Sequence, residues 1–268
     1  MNLYRSRPVR LKNMTRTTRS IPNFRKRKFR YSLLVPAMIL AFPAPGQAMH
    51  ISEGILPAPW AGLWLSVALP FLAWGLHDLK RRSGGDPHFK PLVGLVGAAV
   101  FIISCLPIPV PTAGTCSHMC GTGLAAILIG PVLTVVITSV ALALQALFLA
   151  HGGLTTLGAN IVSMGVAGAF SGYAIYRLSV WIGAPKYMGV FLAGLFADWC
   201  TYAVTSFELA SSLAGVDSWK TMFLAIGVAF MPTQLPLGIF EGLISAGAYR
   251  FIGHRRPDLL RAIEEGVA

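Results

Sequence analysis

From residue 57 onward the chain is a succession of long apolar runs separated by short polar breaks. The runs cover residues 58–76, 91–108, 124–150, 159–178, 187–208 and 221–251. Each approaches or exceeds the ~20 residues that an α-helix needs to cross a bilayer. None alternates apolar and polar residues in the rhythm of a barrel strand, and lipid offers no partner to an open backbone, so each run predicts a helix. The run 124–150 carries Gly130-Pro131, a pair that breaks a helix, and its first limb is short. Two readings stay open for it: two full passes, or a half-helix that re-enters, followed by one pass.

Basic residues set the orientation. Lys80, Arg81, Arg82 and Lys90 follow the first run, Arg177 and Lys186 flank a later break, and Arg250, Arg255, Arg256 and Arg261 lie near the end. Such clusters stay on the cytoplasmic side. A single pass between residues 121 and 150 would put Arg177 and Lys186 outside, whereas two membrane segments there bring all three clusters inside. The pattern predicts an all-α polytopic membrane protein with about seven transmembrane segments, its amino terminus outside and its carboxyl terminus cytoplasmic. The outward parts are then the start of the membrane domain and the loops 107–121, 151–160 and 210–218.

Residues 1–48 hold half of the 22 basic residues and no acid. An apolar run over 33–42 follows the basic stretch, then a turn at Pro43, Pro45 and Gly46, with Gly46 and Ala48 spaced as a peptidase site. That order predicts a cleavable signal peptide over 1–48 and a membrane-embedded domain over 49–268, whose new terminus is Met49. The apolar run is too short and too proline-broken for a spanning helix.

Composition narrows the function classes. The chain is 54% apolar and 12% charged, against about 25% charged in soluble domains. A net charge of +12 invites a nucleic-acid reading, but outside the leader 11 basic residues face 10 acidic ones. A phosphate-binding loop, a His-Glu-x-x-His pair and a Gly-x-Ser-x-Gly elbow are all missing, so the chain cannot itself hydrolyse ATP.

The residues that could carry chemistry begin at Met49-His50. Cleavage would expose an amine one residue before an imidazole. That amine and the His50 amide nitrogen close a five-membered ring on a metal, and the amide nitrogen with the His50 imidazole closes a six-membered one. Three nitrogens then lie in one plane, and a fourth completes a tetragonal set suited to Ni(II), Cu(II) or low-spin Co(II). His118 sits in a proline-stiffened, small-residue outward loop as the candidate fourth donor. His77, His88 and His254 flank cytoplasmic segments, while His151, before Gly152-Gly153, is a candidate supporting group. Cys116 and Cys120 flank His118 and are open to three readings: a soft metal site, a disulfide, or space-filling thiols. Asp198 and Glu241 are acids within apolar runs, where charge is expensive and functional by default. Structural pairing near a helix end or contact with a partner subunit is one role for them. An intramembrane enzyme or a proton-coupled secondary metal carrier using Asp198 and Glu241 is the rival from another class.

Three blocks carry a resemblance: Met49-His-Ile-Ser-Glu-Gly-Ile-Leu-Pro57; Pro111-Thr-Ala-Gly-Thr-Cys-Ser-His-Met-Cys-Gly-Thr-Gly-Leu124 with Gly130-Pro131; and Gln145-Ala-Leu-Phe with Gly152-Gly-Leu-Thr-Thr-Leu-Gly-Ala-Asn160, followed by Glu241-Gly-Leu. They resemble the CbiM and NikM proteins, the substrate-binding S components of energy-coupling-factor cobalt and nickel transporters. The resemblance implies an S-component fold in the cell inner membrane and no enzymatic activity. It implies a square-planar metal site of Met49, His50 and His118, with Co(II), or alternatively Ni(II), as the transported ion and no prosthetic group. It also implies partners: a membrane coupling subunit of the CbiQ type, ATPase subunits of the CbiO type and a small membrane subunit of the CbiN type. The Glu53-Gly-Ile-Leu-Pro57 continuation looks more like the cobalt members, which serve cobalamin biosynthesis. The leader and the two cysteines depart from many relatives.

Overall fold

A computed structural model describes residues 50–85, 89–106, 108–110, 115–215 and 218–267. The expected leader, residues 1–48, and Met49 lie outside the described residues. The chain is helical: α1 is Ala58–Ser83, α2 Phe89–Ser104, α3 Thr122–Ile129 and α4 Pro131–Phe148. Helix α5, residues 157–181, joins Leu157–Asn160, a π-helical stretch Ile161–Gly168 and Ala169–Trp181. Then come α6, Lys186–Leu213, α7, Trp219–Arg255, and a terminal α8, Pro257–Val267. Helices α1, α4, α6 and α7 are long and apolar enough to cross a membrane, and α2 is a shorter apolar helix.

The run 124–150 breaks where its sequence predicts. Gly130 has φ +92°, which glycine adopts without strain, and Pro131 starts α4 at a position where its missing N–H costs nothing. Helix α3 has eight residues, about 12 Å of rise against ~30 Å of hydrocarbon, so it is too short to cross a bilayer by itself. The loop before it departs from the all-helical expectation: Ile108–Val110 and Thr115–Ser117 pair antiparallel, Ile108 opposite Ser117 and Val110 opposite Thr115. Branched residues at Ile108 and Val110 suit a strand, and Pro109 is tolerated because a two-stranded ribbon is all edge.

The surface is inverted relative to a water-soluble protein. Leu69, Trp74 and Leu76 on α1 and Leu224, Val228, Phe240 and Leu243 on α7 are exposed, while Thr134, Thr138, Gln145, Asn160 and Asp198 are buried. Apolar exposure on that scale marks a face solvated by lipid. Helices then meet through small residues. A Cβ on Gly123 would stand 2.6 Å from the Ala193 carbonyl oxygen, and one on Gly172 would stand 2.9 Å from the same atom. Both glycines are needed for α3, α5 and α6 to touch backbone to backbone.

Candidate metal centre

The start of the described chain and two of the loops, those carrying His118 and His151, converge. His50, His118 and His151 each offer a ring nitrogen, and these atoms lie within 4.8 Å of one another. His50 and His118 are buried and His151 is half-buried.

The segment after His50 is clamped by α5 and the turn before it. The Ile51 N–H donates to Asn160 Oδ1 at 2.9 Å, and the Ile51 carbonyl accepts from Asn160 Nδ2 at 3.3 Å and from the Thr156 hydroxyl. Glu53 accepts the Thr155 N–H at 3.1 Å. Gly152 and Gly153 let the two segments approach. Gly152 has φ +82°, and a Cβ there would lie 3.0 Å from the His50 Cβ, while one on Gly153 would fall 2.7 Å from the Glu53 nitrogen.

Hydrogen bonds set the imidazole tautomers. His118 Nδ1 lies 2.8 Å from the Met119 carbonyl oxygen, an acceptor, so Nδ1 carries the proton and Nε2 keeps its lone pair. Gln145 uses its amide nitrogen on Ser104 Oγ at 2.8 Å, so its oxygen faces His50 Nε2 at 3.0 Å. His50 therefore holds its proton on Nε2 and leaves Nδ1 free. His118 Nε2 lies 3.2 Å from His50 Nε2. The Tyr202 hydroxyl bridges the His118 N–H and carbonyl, each at 3.4 Å, and fixes the loop against α6.

The site holds its histidines neutral. Burial pushes His50 down to about 3, with His151 adding to the fall and the Gln145 bond opposing it. Burial also holds His118 well below the usual imidazole range, His50 and His151 reinforcing it, and lowers His151. Protons are thus kept off groups that must present lone pairs to a cation.

Of the residues singled out in the sequence, His50 and His118 come together, and His151 joins them with its Nε2 buried and unpartnered. His77 and His254 are exposed on helices, and His88 lies outside the described residues. Cys120 is buried with a free thiol. Glu241 accepts the Cys120 and Gly121 N–H groups at 2.6 and 2.8 Å, a pairing at the start of α3. The clamp by Asn160 and Thr156 and the orienting roles of Gln145 and Tyr202 escaped the sequence reading. A polar residue inside an apolar run was the available signal for Gln145.

A lipid-faced helical bundle with a buried imidazole cluster defines an integral membrane protein of metal handling rather than a soluble catalyst. Comparison with known proteins makes this specific. The chain belongs to the CbiM family, described as the cobalt uptake substrate-specific transmembrane region, which matches residues 50–259. It is 58% identical over 229 residues to a cobalt transport protein CbiM of Geobacter sulfurreducens, covering 85% of this chain and 66% of that protein. It is 57% identical over 216 residues to the CbiM of Sorangium cellulosum, covering 81% of this chain and 96% of the relative. A crystal structure of a truncated transition metal transporter superposes with a TM-score of 0.68 at 26% identity, covering 77% of this chain and 99% of that one.

Proposed function

We propose that this chain is the substrate-capture subunit of an ATP-driven energy-coupling-factor importer that brings cobalt into the cell for cobalamin biosynthesis. The observation that carries the reading is the meeting of His50 and His118, 3.2 Å apart and buried, at the end of the chain that signal-peptide removal would create. The ion sits in a plane of four nitrogens: the Met49 amine, the His50 amide nitrogen, the His50 imidazole and the His118 imidazole. A six-membered chelate uses His50 Nδ1, the nitrogen that the Gln145 bond leaves unprotonated. Seating the ion between that atom and His118 Nε2 requires the His50 ring to turn, since Nε2 now faces His118. Relatives named for cobalt transport favour cobalt over nickel as cargo.

In this reading the leader 1–48 is removed, seven membrane segments lie in the inner membrane with the metal site outside and the carboxyl terminus in the cytoplasm, and α3 is the re-entrant one. The chain works with a CbiQ-type coupling subunit, CbiO-type ATPases and a CbiN-type small subunit, the sequence itself carrying no phosphate-binding loop motif.

The test is radiocobalt uptake by cells that express the whole system. His118→Ala should abolish uptake while the protein still inserts, and Ala48→Phe, which blocks cleavage and turns the Met49 amine into an amide, should do the same. Unimpaired uptake by both variants would remove the metal from the processed terminus.

A further inference from the structure

Two residues past His118 the chain enters a second buried cluster. Cys120, Asp198 and Glu241, all buried, each offer one ligand atom, and these atoms lie within 4.8 Å of one another. Three elements supply them: the loop before α3, the middle of α6 and the middle of α7. Glu241 spends one lone pair of each oxygen on the Cys120 and Gly121 N–H groups, and the amino terminus of α3 favours its negative charge. Asp198 has no such support. It is 0% exposed, and neither of its oxygens has a hydrogen-bond partner. The Cys120 thiol lies against the Thr201 side chain, one turn along α6 from Ala197 and Asp198.

Two carboxylates this close, inside a lipid-faced bundle, call for a proton or a cation between them. A bare proton site needs no third donor. Here a sulfur completes the set. One thiolate and two carboxylates are three donors with an open position, a mixed sulfur and oxygen site suited to a borderline divalent transition metal in non-planar coordination. The cluster is also joined to the first centre. Tyr202, one turn from Asp198 on α6, holds both backbone groups of His118. Leu209, further along the same helix, packs on the cluster of Ile51, Leu56 and Ala159 at the histidine end, so along α6 Asp198 lies on the far side of Tyr202 from that end.

We infer that Cys120, Asp198 and Glu241 form a second divalent-cation site, one helical turn below the histidines, that receives the same ion after capture. The inference rests on the capture reading for its cargo but not for its geometry. A planar four-nitrogen chelate releases slowly, and a looser three-donor site beside it gives the ion a place to go within the bundle.

The test is anaerobic titration of the purified, processed full-length protein with Co(II), kept reduced by a phosphine. Two ions should bind per chain. One should show the spectrum of planar low-spin cobalt; the other should show a thiolate-to-cobalt charge-transfer band and the intense ligand-field bands of tetrahedral high-spin cobalt. Cys120→Ser should remove the charge-transfer band, and Asp198→Asn should remove the second binding step. His118→Ala should lose the planar spectrum and keep the tetrahedral one. Wild-type protein that saturates with one planar ion and no charge-transfer band overturns the second site and leaves capture intact, whether or not the variants fold. A charge-transfer band without any planar signal overturns the capture geometry and upholds the second site.

Discussion

Cobalt loading of the histidine centre at pH 6, followed in Asp198→Asn protein so that the Cys120 cluster takes no ion, should release about two protons per ion, because the imidazoles have already lost theirs. The Met49 amine, with a pKa near ~8, is almost wholly protonated at pH 6 and gives up about one proton, and the His50 amide gives up another. Two histidines with the ordinary pKa of ~6.5 would each be about three-quarters protonated at that pH and would add about 1.5 protons. In this protein burial holds His50 near 3 and His118 well below 6.5, so neither contributes. The proton count is read by titration calorimetry in buffers that differ in ionisation enthalpy, as the slope of observed against buffer enthalpy. A slope of about two is expected, with affinity rising about 100-fold between pH 6 and 7. A slope near 3.5 would show that the histidines are charged before loading and refute the buried-neutral account. A slope near zero would show that neither amine nor amide is a ligand.

Asn160→Ala removes both side-chain bonds to Ile51 and should lower cobalt affinity by about 10- to 100-fold, as loss of a ligand-orienting group does, measured by equilibrium dialysis of protein that still inserts. Gly152→Ala forces φ +82° on a residue with a Cβ 3.0 Å from His50; a cost of about 1–2 kcal/mol should lower affinity by about tenfold while far-UV circular dichroism stays unchanged. Each buried histidine should cost the folded protein stability in acid. Below pH 6.5 the unfolded chain binds protons that buried neutral His50 and His118 refuse, so their contribution falls as pH falls, by about 1.4 kcal/mol per unit for each histidine, down to about 3 for His50. Thermal unfolding of wild type and His118→Gln at pH 7 and 5 isolates the His118 share: on acidification the wild type should lose more, or gain less, stability than the variant.

Much of the architecture was legible because a bilayer imposes a coarse rule: an apolar run is a helix. Gly130-Pro131 was legible for a local reason, since both residues restrict their own backbone. The proposed Met49-His50 chelate was read from adjacent atoms alone. The rest depends on contacts that no local pattern encodes. His151 sits about a hundred residues from His50 and reaches it only because Gly152 and Gly153 let two loops touch. Asn160 reads in sequence as one polar residue at the start of a helix, and its bond to Ile51 crosses 109 positions. Glu241 was visible as an acid in an apolar run, but the groups it serves, the Cys120 and Gly121 N–H, belong to another element. The π-helical stretch Ile161–Gly168 leaves no mark in hydropathy, because apolar residues fill it as they would an α-helix.

Helix α3 shows why a buried histidine can stand on neither a long helix nor an open loop. Eight residues leave most of a helix's backbone groups at its two ends, where four N–H and four carbonyl groups lack intrahelical partners. Among lipid-faced helices each unpaired group costs several kcal/mol, so a half-helix persists only if neighbours finish it. At the amino end, Glu241 of α7 takes the Cys120 and Gly121 N–H groups. At the carboxyl end, Arg82 of α1 reaches the Ile129 carbonyl at 3.4 Å, while Asp78 pairs with that guanidinium at 2.9 Å. Gly130 serves this end through its φ of +92° rather than by making room, since a Cβ there would stand in ordinary contact with Arg82 at 3.7 Å. With both ends closed by charged groups from other helices, the chain before α3 is free to be non-helical inside the bundle. That freedom is what lets His118 approach His50 from a loop, with Tyr202 rather than helix geometry fixing its backbone.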